Sequence, residues 1–269
     1  AESYRKIRNT FRFLLGNLKD KKNNFNINSK EIEKWPELER FILHKIYLLN
    51  KKFETYFKEY NFHKLYKELA NFCSLDLSAF YFDIRKDTLY CDDLLSTKRQ
   101  ACINLLGLIL DIFLKWFAPI LSFTTEEIFQ IINKGQNSSI HLQIFPKIPT
   151  DWNDEKLFKK WEKFMIIKKV VNAAIEEKRS NKDIGSSLEA DVEIYLKDDY
   201  LEIVKDFDLS ENFITSKAVA KKLIKNNNSF FKLDEIENIN VFVKKAEGEK
   251  CPRCWKIFTG PCARCEANR

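Results

Sequence analysis

Near the start of the chain, apolar residues return every three or four positions: Tyr4, Ile7, Phe11, Leu14, Leu15 and Leu18. That spacing predicts a helix with one buried face over the first twenty or so residues. Arg5, Arg8 and Arg12 repeat with the same period on a stripe beside it. The polar stretch KDKKNNFNINSKEIEKW then reads as a loop. From Pro36, tolerated in a first turn, a second helix is expected with Leu38, Phe41, Ile42, Leu48, Leu49, Phe53, Tyr56 and Tyr60 on its core side. NFHKLYKELANFCSLDLSAFYFDIRKD continues as one or two more helices. A long helix follows from Thr97 to Phe117, stopping near Pro119, and Thr124-x-x-Glu127 reads as a capping box ahead of an apolar run.

Residues 1–145 are therefore expected to form a helical bundle. HLQIFPKIPTDWND is marked by prolines as a connection. Beyond it a helix from Glu155 to Arg179 is predicted to bury Phe158, Trp161, Met165, Ile166, Val170 and Ile175. ADVEIYL alternates as a half-buried strand does, and FITSKAV and NINVFVKKA add short elements. Residues 146–247 thus read as a small α/β domain, and residues 248–269 as a module too short to hold a core without a staple. The predicted class is mainly α: a bundle, a small α/β junction domain and a four-cysteine module.

Composition changes this picture little. With 269 residues, 45% of them apolar, the chain can bury a core. CINLLGLILDIFLKWFAPIL carries Asp111 and Lys115 mid-run, which argues against a membrane span. AESYRKIRNT lacks the apolar segment of an export signal, so the expected setting is cytoplasmic, with no membrane partner. The chain starts in mid-helix pattern without an initiator methionine, as a C-terminal excerpt of a longer protein would. Its net charge of +7 favours an anionic partner. If four thiolates bound one Zn²⁺, that charge would fall to about +5.

The chemistry gathers at the end of the chain. Cys251-x-x-Cys254 and Cys262-x-x-Cys265 are two hooks of the kind that present paired sulfurs to one tetrahedral metal. Four thiolates leave no water position, so a Zn²⁺ held there would be structural. The seven residues between the hooks make a short spacer, but Gly260-Pro261 offers a reversal. Disulfide and redox readings compete: the first needs an oxidising compartment, and a redox pair normally comes singly at a helix start. Cys73, Cys91 and Cys102 fall on apolar helical patterns and are expected in the core.

Trp255 follows the first hook among Lys250, Arg253, Lys256, Arg264 and Arg269. Two readings stay open. It packs beneath the knuckle as a small core, or it exposes its face for an unpaired base to stack on. The cations either offset the thiolates or meet phosphates.

Catalytic constellations are missing. There is no phosphate-binding or dinucleotide-binding glycine loop. Of the three histidines, His44 and His63 are expected to be solvated or partly buried, and His141 has no evident partner. Glu126-Glu127 and Asp92-Asp93 are read as helix-start acids favoured by the macrodipole.

Several segments resemble, in order, the C-terminal part of the class I isoleucine–tRNA synthetases. ESYRKIRNTFRFLLGNL is similar to the first helix after that family's catalytic body, and LERFILHKI and APILSFTTEEIF to its anticodon bundle. NAAIEEKRSNKDIGSSLEADVEIY is similar to its junction segment, and GEKCPRCW…CARCEAN to its terminal zinc module. The resemblance implies that Cys251, Cys254, Cys262 and Cys265 bind one structural Zn²⁺ and that Trp255 touches an anticodon nucleotide of tRNA(Ile). It further implies tRNA contacts near Lys250, Arg253 and Arg264, along Arg5, Arg8, Asn9 and Arg12, and at Lys178, Arg179 and Lys182. The family's HIGH-type and KMSKS-type motifs are absent here. ATP would therefore be used only by a catalytic domain outside this chain, within a monomeric parent enzyme, and the fragment alone should be inactive. The hook spacer is shorter than in the common bacterial form, so a contact carried by that loop would be missing.

Overall fold

The computed structural model describes residues 2–18, 29–134, 137–223 and 230–268. They form two compact units. The first comprises residues 1–89 and 93–155; the second comprises Tyr90–Asp92 and residues 156–269.

Among the described residues, the regular elements of the first unit are all helical. It contains α1 (Glu2–Asn17), α2 (Ser29–Ile32), α3 (Glu37–Lys58), α4 (Phe62–Asn71), a π-helical run (Phe72–Tyr81), α5 (Phe82–Cys91, ending in the second unit's tripeptide), α6 (Thr97–Phe117) and α7 (Ser122–Ile132). Helix α1 buries Ile7, Phe11, Leu14 and the following Leu18, the face its period predicts. The loop expected after it lies partly outside the described residues, and α2 occupies part of the remainder. Helix α6 is long and apolar enough to cross a bilayer, yet 67% of its most apolar window is buried within the protein. Its Phe113, Trp116 and Phe117 form the centre of the core, with Phe53 stacked on Trp116 and Phe11 edge-on to Phe117. Asp111 and Lys115 pair with each other at 2.7 Å.

Between α4 and α5 the expected helices are one run, widened in the middle. Leu65, Leu69, Cys73, Leu77, Tyr81 and Arg85 are all buried and all four residues apart. On an α-helix, steps of four drift by roughly 40° each. The i→i+5 bonding of the π segment, as in Phe82 N–H to Leu77 O, turns the stripe back and keeps it on one face. At its inner end Arg85 grips Glu39 through two hydrogen bonds, Nε to Oε1 at 2.6 Å and Nη2 to Oε2 at 2.7 Å. The Tyr81 hydroxyl donates to the same carboxylate at 3.0 Å.

Four expectations need correction here. Tyr60 is not core: it follows the end of α3 with φ 53° and is 80% exposed, while Leu43 and Ile46 are buried instead. His44 is buried, not solvated, and its Nδ1 accepts the Asp154 N–H at 2.9 Å. The Thr124–Glu127 capping box does not form, because α7 starts at Ser122 with an uncapped Leu121 before it. Thr124 instead hydrogen-bonds Tyr4, and Glu127 pairs with Arg8, so both residues tie α7 to α1. Asp92-Asp93 is not a helix-start pair either: Ser96 caps α6, Asp93 accepts the Leu95 N–H, and Asp92 turns elsewhere.

The second unit contains α8 (Glu155–Ser180), β1 (Ala190–Leu196), α9 (Asp198–Val204), α10 (Leu209–Asn212), β2 (Lys217–Lys222), β3 (Phe231–Leu233), β4 (Ile236–Lys245), β5 (Glu249–Lys250), β6 (Ile257–Phe258) and α11 (Ala263–Ala267). The sheet order is β2-β1-β4-β3, with β1 parallel to β2 and antiparallel to β4. Ala190, Val192, Ile194 and Leu196 present one fully buried face, as the alternation predicts. Helix α8 buries Leu157, Trp161, Phe164, Ile167, Val171 and Ile175, whereas Met165 and Ile166 are exposed, against expectation. Apolar residues occur nearly all round this helix, so the pattern admits more than one face. Phe164, stacked on both Phe207 and Phe213, selects the real one.

Candidate functional site

The site is built on the β5–β6 hairpin, paired Glu249 to Phe258 and Lys250 to Ile257. Gly248 begins it at φ 122°, where an added Cβ would lie 2.1 Å from the Phe258 carbonyl oxygen, so only glycine fits. At the tip, Cys251 N–H donates to the Lys256 carbonyl at 2.9 Å, and Trp255 N–H returns to the Cys251 carbonyl at 2.9 Å. This closes a tight knuckle with Cys251 and Cys254 turned inward. The second hook runs from Cys262 into α11 and brings in Cys265.

All four sulfurs lie within 4.8 Å of one another, and Cys254 and Cys262 Sγ are 3.9 Å apart. Zinc–sulfur bonds of about 2.3 Å place tetrahedral sulfurs about 3.8 Å apart, so the spacing fits that ion. Burial pushes the Cys254 thiol up to about 12 and the Cys265 thiol up to about 11. Cys251 is also raised by burial, but the N–H groups of Cys254 and Arg253 bond its sulfur and bring it down to about 7. Thiols packed this closely cannot all ionise without a cation among them. The four sulfurs can therefore hold a metal ion, and they leave no open coordination position.

Trp255 does not pack beneath the knuckle. It is 59% exposed, while the other four tryptophans are buried. Its backbone sits in the left-handed region at φ 64°, a strained place for a bulky residue, and the Lys250 ammonium lies 5.8 Å from its ring centre. The ring is thus an open aromatic face with a cation against it.

The arginines beside it are engaged within the unit. Arg253 donates to the carbonyls of Asn268 and Cys265, and its Nη2 to the Tyr90 carbonyl at 3.0 Å. Arg264 pairs with Asp92 at 3.2 Å, and the Asn268 amide donates to the Cys91 carbonyl at 3.3 Å. Cys91 packs in the same buried cluster as the four cysteines. Sequence reasoning missed the tripeptide Tyr90–Asp92, which lies about 160 residues before the hooks and has no motif. Arg269 is outside the described residues.

The remaining candidates are surface groups. Arg5, Asn9 and Arg12 are exposed on α1 in the first unit, and Arg8 beside them pairs with Glu127 at 3.3 Å. At the end of α8, Lys178 pairs with Asp183 and Arg179 with Glu176, while Lys182 turns the chain at φ 63°. His63 and His141 are exposed.

Residues 39–194 match the family model described as the anticodon-binding domain of tRNA ligase. The chain is 53% identical over 264 residues to an isoleucine–tRNA ligase of Pelagibacter ubique, an alignment covering 98% of this chain and 28% of the relative. It is 41% identical over 257 residues to that of Bradyrhizobium diazoefficiens, covering 95% of this chain and 25% of the relative. It is 38% identical over 262 residues to that of Rhodopseudomonas palustris, covering 96% and 26% respectively. The chain thus spans about a quarter of the length of these curated relatives.

Proposed function

Since the chain belongs to the family of anticodon-binding domains of tRNA ligases, we propose that it is the C-terminal, tRNA-gripping part of a class I isoleucine–tRNA ligase. Its partner is the anticodon stem-loop of tRNA(Ile). The observation that carries this reading is Trp255, a large ring held open on a strained backbone with a cation beside it. A hydrophobic core residue needs neither the exposure nor the strain; a platform for a splayed base needs the exposed face, and backbone strain of this kind gathers at functional sites.

In this reading one anticodon base stacks on Trp255, and Lys250 meets a neighbouring phosphate. Arg5, Arg8, Asn9 and Arg12 on α1, with Lys178, Arg179 and Lys182 after α8, supply further backbone contacts that set register and make affinity depend on salt. A zinc ion on Cys251, Cys254, Cys262 and Cys265 would supply folding energy to the module and no step of the reaction. The working division is bundle 1–145, junction 146–247 and zinc module 248–269. ATP and isoleucine are handled by the catalytic part of the ligase, which this chain lacks, in a monomeric cytoplasmic enzyme.

The test is binding of the chain to isoleucine and valine anticodon stem-loops at two salt concentrations, with and without a chelator. Selective, salt-sensitive binding that weakens on chelation supports the reading. Equal binding to both loops would leave a basic surface without recognition. Absence of binding would favour a metal-stapled scaffold for protein partners.

A further inference from the structure

Resting on the same reading of Trp255, we propose that Tyr90–Asp92 is a positioning segment for the aromatic platform, and that Arg253 and Arg264 act by holding it rather than by touching RNA. The tripeptide engages both hooks at once. Its Tyr90 carbonyl takes the guanidinium of Arg253, the residue before Cys254. Its Asp92 carboxylate takes the guanidinium of Arg264, the residue before Cys265. Its Cys91 carbonyl takes the Asn268 amide, just beyond α11, and Asn268 in turn accepts from Arg253 through its own carbonyl. These bonds join the tripeptide, both hooks and Asn268 in one network.

Fixing its two sulfurs still leaves a hook free to swing about the line that joins them. The tripeptide removes that freedom, because it is the common partner of both hooks. Trp255 lies one residue beyond Cys254 and inherits its direction from the first hook, so its face is aimed by a bond network that ends at Asp92. The Asp92–Arg264 pair is partly buried, with side chains 15% and 35% exposed, so it is screened less than a free surface pair. A guanidinium held this way has fewer directions left for a phosphate. Lys250, by contrast, is exposed and borders the ring. The structure therefore divides the cations around Trp255 into two classes: arginines that aim the ring, and a lysine that meets the nucleic acid.

The test uses the metal-loaded 269-residue chain with Asp92→Asn, Asp92→Glu, Arg264→Gln and Lys250→Gln. Because the other four tryptophans are buried, acrylamide-quenchable emission reports Trp255 without any RNA present. Asp92→Asn and Arg264→Gln are expected to retain one metal per chain and to give quenchable emission of lower anisotropy. They should lose about fivefold or more in affinity for the isoleucine anticodon loop, the low end of what one stacking contact supplies, with an unchanged salt slope. Asp92→Glu should restore both readouts. Lys250→Gln should lower the salt slope by about 0.7, as expected for one single-strand phosphate contact, and keep the preference for the isoleucine over the valine anticodon loop. If Asp92→Asn matches the parent chain in Trp255 anisotropy, or Arg264→Gln lowers the salt slope as a phosphate contact would, the proposal is overturned. If the parent chain itself shows no anticodon preference, the functional reading fails, and the anisotropy comparison still decides the positioning role.

Discussion

The Arg85–Glu39 pair offers a stringent test of what holds the first unit together. Both side chains are almost fully buried, 4% and 0% exposed, and they meet through two parallel hydrogen bonds. Arg85→Met removes the cation and leaves a carboxylate in the core with the Tyr81 hydroxyl still bonded to it. Breaking a buried pair from one side costs about 3–5 kcal/mol, a large share of the roughly 5–15 kcal/mol that a domain has to lose. With a urea slope of about 2 kcal/mol/M, the midpoint of the first unit should fall by about 2 M. Far-UV circular dichroism follows that transition, since the unit is helical. The double variant Glu39→Leu/Arg85→Met removes both charges, and it should recover most of the loss, since apolar replacement of a buried pair is often neutral or stabilising. A loss below about 1 kcal/mol in Arg85→Met, or a double variant as unstable as the single, would refute the reasoning.

Burial holds the His44 pKa below its ordinary value, and the neutral ring accepts the Asp154 N–H. Its contribution to stability is therefore full above the unfolded value of about 6.5 and declines as pH falls below it; urea midpoints at pH 7 and 5 should show the decline, and His44→Phe should flatten it. Gly248→Ala places a methyl group against the Phe258 carbonyl, so metal affinity, measured against a chromophoric chelator, should drop about fivefold or more for a strain of about 1–3 kcal/mol. Trp255→Gly should leave the module as stable or slightly more so by relieving the left-handed backbone, while costing about 1–3 kcal/mol of anticodon-loop binding; a less stable module with unchanged binding would return Trp255 to the core reading.

How far these features can be read without coordinates differs from residue to residue. The face of α1, the strand Ala190–Leu196 and the four-cysteine set follow from local period or spacing, because neighbours in sequence are there neighbours in space. The buried face of α8 does not, because its apolar residues surround the helix and only Phe207 and Phe213 decide between faces. Trp255 was ambiguous for a different reason: its exposure depends on a backbone angle set by the knuckle, which composition does not encode. The engagement of Arg264 by Asp92, 172 residues away, leaves no local trace. A basic residue beside a metal hook looks the same in sequence whether it faces a phosphate or a carboxylate.

A helix that keeps its buried face by counting in fours also carries a reading frame. The stripe from Leu65 to Arg85 stays in line because the wide turns of Phe72–Tyr81 absorb the drift. Deleting one residue from the α-helical turns on either side would swing everything beyond it by about 100° and carry Arg85 away from Glu39. Insertions and deletions in this segment act on the core at a distance, although each touches only a single turn. A change of chain length is therefore least disruptive in the connections, where one residue more or less rotates nothing.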